Sequence, residues 1–146
     1  MSKKKTYEEL GGRPMLEKMC KVFYDKVYEH PWLNQFFNSV KQEIIELQQV
    51  DFLQGGLGGK KVYCGKLPVP AHKHMYITSE LYQLRSKLLL ESLIEVDASK
   101  ELTDRLIKLD LSFAHALIKK STSECEKRYN SDEFLIIPEP NMKKAA

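Results

Sequence analysis

The sequence predicts an all-α fold made of two long helix pairs. Apolar residues recur at helical spacing in four long stretches, and no alternating strand pattern occurs before the apolar tail Phe134-Leu135-Ile136-Ile137-Pro138. The connections are short apart from one glycine-rich loop, as in helical bundles. With 146 residues, 42% of them hydrophobic, the chain suits one globular domain that can bury a core and a sizeable ligand.

Thr6-Tyr7-Glu8-Glu9 has the form of a capping box, and Leu10-Gly11-Gly12 stops the turn, so the first helix is expected to be very short. Pro14 can open a second helix. Met15, Leu16, Met19, Cys20, Phe23 and Val27 keep to one face of it, with Tyr24 at the border. His30-Pro31 ends this helix, because a proline disfavours helical geometry in the residue before it. Trp32, Leu33, Phe36 and Phe37 then form an apolar corner that must be buried.

Ser39 with Gln42 reads as another cap. Ile45, Gln49, Phe52, Leu53 and Gly56 follow on one helical face, which places Gln49 inside an apolar stripe. From Gly55 to Pro70 the pattern dissolves into a long loop, a length usually associated with function or mobility. Gly58-Gly59 does not cradle phosphate, since no strand precedes it and no Gly-Lys-Ser/Thr follows. Thr78 or Ser79 can cap the next helix, lined by Leu81, Leu84, Leu88, Leu89, Leu93 and Val96. After Asp97-Ala98-Ser99 a last long helix buries Leu102, Leu106, Leu109, Phe113, Ala116 and Leu117. Polar residues from Lys119 onward read as an exposed extension or fraying, and the apolar tail has no place in this scheme.

Composition narrows the function classes. The net charge of +3 is small, and the basic residues cluster at Lys3-Lys4-Lys5 and Lys143-Lys144, which read as solubilising termini rather than a nucleic-acid face. No apolar run approaches the roughly 20 residues needed to span a bilayer, and Met1-Ser2-Lys3-Lys4-Lys5 leads into Thr6-Tyr7-Glu8-Glu9 rather than an apolar signal core. No membrane association and a cytoplasmic location are expected. Cys20, Cys64 and Cys125 have no metal-ligand spacing and read as ordinary thiols.

In an all-α fold a ligand pocket lies between helices, so polar residues on buried faces are the informative ones. Three groups stand out: Tyr24, Gln49 with its neighbour Gln48, and His72 after the proline-ended stretch Val69-Pro70-Ala71. Each has an ordinary alternative. Tyr24 can bond a carbonyl at the core's rim, Gln49 can satisfy a loop, and a lone histidine is more often structural than a ligand.

Their setting removes much of that ambiguity. Tyr7-Glu8-Glu9-Leu10-Gly11-Gly12, Phe23-Tyr24, Phe36-Phe37, Gln48-Gln49, Leu57-Gly58-Gly59, Tyr63-Cys64-Gly65, Ala71-His72 and Ile77-Thr78 occur in an order and at separations that closely resemble the truncated haemoglobins, in particular a group 1-like member. The resemblance runs from Tyr7 to about Thr78 and more loosely through Leu117. It implies a two-over-two helical sandwich enclosing haem, with residues 1–120 as the truncated globin domain and 121–146 as a C-terminal extension of unassigned role.

Carried over residue by residue, the resemblance implies that His72 is the proximal iron ligand and that Phe37 packs on the porphyrin. Tyr24 and Gln49 would face the distal side where oxygen binds, with Ile45 as an apolar neighbour one turn before Gln49. Gln48 stands where some relatives carry a distal histidine, so the ferrous iron is expected to be five-coordinate. Tyr63 and Lys66 are candidate contacts of the haem propionates, and Ile77 and Tyr82 touch the ring. A neutral imidazole donates to ferrous iron, and hydroxyl and amide donors stabilise the partial negative charge that bound oxygen acquires. The absence of Cys-x-x-Cys-His points to non-covalent haem b.

His74-Met75-Tyr76 replaces the smaller, often glycine-containing stretch that usually follows the proximal histidine, which makes His74 a competing ligand. His30 and His115 match no ligand position and are expected to be exposed. Function follows as reversible oxygen binding, with nitric oxide and carbon monoxide as further diatomic ligands and nitric oxide dioxygenase activity as an extension. No flavin or nicotinamide domain is present, so sustained turnover would need an external reductase. A haem-based sensor and a helical interaction module without catalysis are the alternatives.

Overall fold

The computed structural model describes residues 4–140. The terminal Lys3, Lys143 and Lys144, read above as solubilising, lie outside the described residues. Helix α1 (Gly12–Glu29) packs against α2 (Gln42–Gly56) and α4 (Ser79–Glu95), and α4 packs against α5 (Lys100–Ser112), giving two helix pairs across one core. A short helix α3 (Pro68–His72), a one-turn α6 (Ala114–Leu117) and two 3-10 helices, Leu33–Phe37 at the aromatic corner and Thr122–Glu124, complete the helical set among the described residues.

Phe23, Leu16, Met19, Leu93, Leu102 and Leu106 are among the largest fully buried side chains, so α1, α4 and α5 meet through the faces that their periodicity marks. Thr6 and Glu9 exchange both bonds of the capping box, the Thr6 N–H donating to Glu9 Oε1 at 2.9 Å and the Glu9 N–H to Thr6 Oγ1 at 3.2 Å. The segment they close is a turn rather than a helix. Gly11 ends it at φ +116°, a backbone open to glycine and strained for other residues. Thr78 and Ser99 cap α4 and α5 as expected, accepting from Leu81 and Leu102 N–H groups.

Three further sequence expectations change. Ser39 does not cap α2, whose N-cap is Lys41 without a side-chain bond, and Gln42 donates instead to Asp25 and Glu46. The last helix stops at Ser112, whose hydroxyl donates to the Leu109 carbonyl in competition with the backbone ladder, and the chain resumes helical form for only the turn of α6.

The third concerns the described residues after Lys119, 120–140, which are neither frayed nor a free extension. They run back along the segment after His72. The Lys119 N–H donates to the Ile77 carbonyl, Glu126 N–H to Lys73, and Leu135 N–H to His74, while Tyr76 N–H donates to Leu135. Met75 and Leu135 form an isolated parallel bridge, and Trp32 Nε1 donates to the Ile137 carbonyl at 2.8 Å. The apolar tail is thereby placed: Leu135 and Ile137 pack against the core.

Candidate functional site

One cavity of about 460 Å³ opens between the two helix pairs, within the size range of small-ligand and cofactor sites. Tyr24 from α1, Phe37 from the corner, and Ile45, Gln48 and Gln49 from α2 all line it. So do Tyr63 and Lys66 from the loop, His72 from α3, Ile77 and Tyr82. His74 does not. It is buried beneath the C-terminal segment, and its Nδ1 has no hydrogen-bond partner. His115 is exposed, but His30 is half-buried and its Nδ1 accepts from the Trp32 N–H at 3.1 Å and the Leu33 N–H at 3.4 Å, which corrects the expectation for that residue.

His72 is held by the helix that carries it. Pro68 stands in the first turn of α3, where its fixed φ favours a start and its missing N–H costs nothing. One turn on, the His72 Nδ1 lies 2.6 Å from the Pro68 carbonyl. A carbonyl only accepts, so Nδ1 carries the proton and Nε2 keeps its lone pair. Burial lowers the His72 pKa below the ordinary histidine value, and the Arg85 charge adds to this, against the opposing pull of the Pro68 bond. The ring is therefore a neutral donor through Nε2.

Tyr24 sits edge-on to Phe23 and Phe37, with ring centroids 4.9 Å and 6.1 Å apart. Its hydroxyl has no hydrogen-bond partner among the described residues. Burial pushes its pKa up, partly opposed by the nearby Arg85 guanidinium, so it remains a neutral O–H donor at physiological pH. Gln49 is half-buried and Gln48 exposed on the same helix. Tyr82 also lines the cavity, but its hydroxyl donates to the Asp110 backbone carbonyl, and burial pushes its pKa up to about 12.

The loop is fixed by close packing as well as by its polar groups. Tyr7 Oη donates to Gln54 Oε1 at 3.0 Å, and a Cβ on Gly59 would stand 2.7 Å from the Tyr7 ring and 2.8 Å from Gln54, so only glycine fits there. Tyr63 donates to the Lys66 carbonyl and meets Phe52 edge-on at 5.3 Å. Lys66 is exposed and its Nζ stands 4.9 Å above the Tyr129 ring.

Sequence reasoning missed Arg85, Asp110 and Arg128, which also line the cavity. Arg85 pairs with Asp110 across α4 and α5, and Ser86 Oγ donates to the second carboxylate oxygen at 2.7 Å. Their signal resembles that of Gln49: Leu81-Arg85-Leu89 and Leu102-Leu106-Asp110 are apolar stripes at four-residue spacing interrupted by a charge. Arg128 comes from the C-terminal segment, held by Asp132 at 2.9 Å and 3.1 Å, and nothing in its local pattern announces a pocket residue.

These residues fit the haem that the family resemblance implies. A neutral imidazole with a free Nε2 faces a largely apolar cavity, unpartnered donors line the same space, and Lys66 supplies positive charge for acidic edge groups.

Comparison with known proteins agrees. The family model described as bacterial-like globin matches residues 5–119. A group 1 truncated hemoglobin from Chlamydomonas moewusii is 30% identical over 92 residues, covering 62% of this chain and 54% of the relative, so the chain spans about half the length of the curated relative it matches. The truncated hemoglobin of Tetrahymena pyriformis, solved in its Fe(III) form, is 27% identical with a TM-score of 0.71, covering 78% of this chain and 97% of that one. The 2/2 hemoglobin of Synechococcus, solved with covalently attached heme, is 25% identical with a TM-score of 0.67, covering 75% and 93%. The group II truncated hemoglobin of Bacillus anthracis, at 19% identity and a TM-score of 0.73 over 81% of this chain and 94% of that one, shares the fold.

Proposed function

Because the chain belongs to the bacterial-like globin family and is a truncated haemoglobin, we propose that it binds one non-covalent haem b and reversibly takes up oxygen. His72 holds the iron through Nε2. The observation that carries this reading is the Nδ1 contact with the Pro68 carbonyl, which presents a neutral ligand to the cavity. Haem, when bound, supplies a ferrous iron able to take diatomic ligands: oxygen, nitric oxide and carbon monoxide.

The remaining work falls to the chain. Tyr24 and Gln49 donate hydrogen bonds to the ligand, while Phe37, Ile45, Ile77 and the ring of Tyr82 contact the porphyrin and exclude water. Tyr63 and Lys66 would meet the haem propionates, and Gln48 lines the cavity from α2. The proposal extends to nitric oxide dioxygenase activity: the same donors would hold oxygen in place, and a bound haem would supply the electron needed to turn nitric oxide and dioxygen into nitrate. An external reductase must return that electron for turnover.

We assign residues 1–120 to the globin domain and 121–146 to a C-terminal extension, whose described residues bond to the segment after His72. Among the described residues no helix is long and apolar enough to cross a membrane, and a cytoplasmic setting is part of the proposal.

The test is an absorption spectrum with haem stoichiometry for purified wild type, His72→Ala and His74→Ala. Wild type and His74→Ala should carry one haem each and His72→Ala should lose it. A normal Soret band and full stoichiometry in His72→Ala would refute the ligand assignment.

A further inference from the structure

Arg85 is the least expected group in the cavity. A guanidinium has five N–H donors. Among the described residues Arg85 uses one side-chain nitrogen, Nη1, on Asp110, so its other donors are unmet. Unmet donors inside a protein are costly unless something takes them.

Geometry shows where they point. The Arg85 side chain is 32% accessible although protein surrounds it, whereas that of Asp110 is 7% accessible. The shallow outer groove between α4 and α5 is lined by Ser86 and not by Arg85, so the accessible side of Arg85 faces the inner cavity. Asp110 borders the same cavity, but its two oxygens are already engaged by Arg85 and Ser86. The pair thus turns its positive end inward. Two aromatic faces fix the guanidinium there, its carbon lying 5.5 Å from the Phe23 ring centroid and 5.8 Å from that of Tyr82. Phe23 in turn abuts Tyr24, whose hydroxyl is also unpartnered and faces the cavity.

We infer that Arg85, beside Tyr24, forms an anion subsite in the cavity that makes the ferric protein favour small inorganic anions over neutral ligands. The inference rests on the haem reading above. A neutral diatomic ligand needs only a hydrogen-bond donor, which Tyr24 and Gln49 supply. A full negative charge gains in addition from a guanidinium in a poorly solvated site, where charge-assisted bonds are about twice as strong as neutral ones.

The test is an absorbance titration of the ferric holoprotein with azide and with fluoride, using imidazole as a neutral ligand of ferric haem. Wild type, Arg85→Met, Arg85→Lys and Asp110→Asn are compared at equal haem stoichiometry. Arg85→Met should raise the Kd for both anions by roughly ten- to a hundredfold, the worth of one charged hydrogen bond. Its Kd for imidazole should change by less than about threefold, within the scatter of a substitution that removes no bond to that ligand. Arg85→Lys should retain part of the anion affinity. Asp110→Asn, which leaves the guanidinium uncompensated, should bind anions more tightly than wild type.

Unchanged anion affinity in haem-loaded Arg85→Met overturns the inference, as does an equal loss for anions and imidazole, which would mean a damaged pocket. If Arg85→Met does not fold, Asp110→Asn decides: anion binding no tighter than wild type overturns the proposal. Haem content of the wild type tests the earlier reading separately. A wild type without haem removes both, whereas haem-loaded variants with equal anion affinity remove only the subsite.

Discussion

His72 and His74 are two residues apart, yet their surroundings give them different chemistry. The His72 ring has one nitrogen bonded to Pro68 and the other free toward a cavity, while the His74 ring is buried with Nδ1 unpaired. An unpaired buried nitrogen costs about 1–3 kcal/mol. His74→Leu should therefore keep its haem and melt no lower than wild type, as thermal denaturation would show; a clear loss of stability would reveal a bond that His74 makes. Burial lowers the pKa of both rings, so the folded apoprotein binds these protons less readily than the unfolded chain. Their contribution to stability is complete above about pH 6.5 and is lost as pH falls through the lower folded values. Urea midpoints of the apoprotein should drop across that range, and less so in His74→Leu. At this scale the sequence displayed Tyr24, Gln49 and His72, because each interrupts an apolar pattern or stands beside a proline. Arg85 and Asp110 interrupt theirs in the same way, but a long charged side chain on a helix is usually read as reaching solvent, and only the pairing of two stripes reveals that these two meet inside the fold.

The element with the greatest consequence for the site is the segment after Lys119. Besides its main-chain bonds to residues 73–77, it brings Lys119 Nζ within 2.7 Å of the Met75 carbonyl and 3.2 Å of the His72 carbonyl, capping the segment that carries the proposed ligand. A chain ending at Lys120 loses the Met75–Leu135 bridge, the Trp32–Ile137 bond and Arg128. It should melt about 5 °C lower or more, and should release haem to a scavenging apoglobin faster than the full chain. Equal melting and equal haem release would show the segment to be an appendage. The loop before α3 invites a similar test: Gly59→Ala forces a Cβ against Tyr7 and Gln54 and should cost about 1–3 kcal/mol in urea unfolding. The long helices were legible along the chain, since caps and periodicity agree at α4 and α5, but α3 fell at the end of a stretch read as loop. Two further things were not legible. The stop at Ser112 depends on a hydroxyl competing for one carbonyl, and the docking of Leu135 and Ile137 depends on backbone groups of residues 74–77 left open by the absence of regular structure there. Neither leaves a periodic trace.

Across the whole molecule, the two helix pairs act as walls that keep an imidazole, a phenol and an amide facing a common space. The proposed ligand imidazole comes from the short helix α3, and the proposed donors come from α1 and α2. No histidine stands at Gln48, and amides ligate ferrous haem poorly, so the deoxy-ferrous spectrum should be five-coordinate; dominant six-coordinate low-spin bands would expose an internal ligand. If the Tyr24 hydroxyl and Gln49 amide both donate to oxygen, each contributes about 1–3 kcal/mol. Tyr24→Phe should then raise the oxygen dissociation rate at least about tenfold, with a much smaller effect on carbon monoxide, which is less polar when bound. Gln49→Leu should add to it less than independently, since the two share a ligand. The same slow release gives nitric oxide time to enter between the helix pairs, so mixing the oxygenated protein with nitric oxide should yield nitrate and ferric haem within the stopped-flow range. Release unchanged in Tyr24→Phe removes the donor assignment. Release that changes while wild-type nitric oxide consumption stays slow leaves an oxygen-binding globin and removes the dioxygenase.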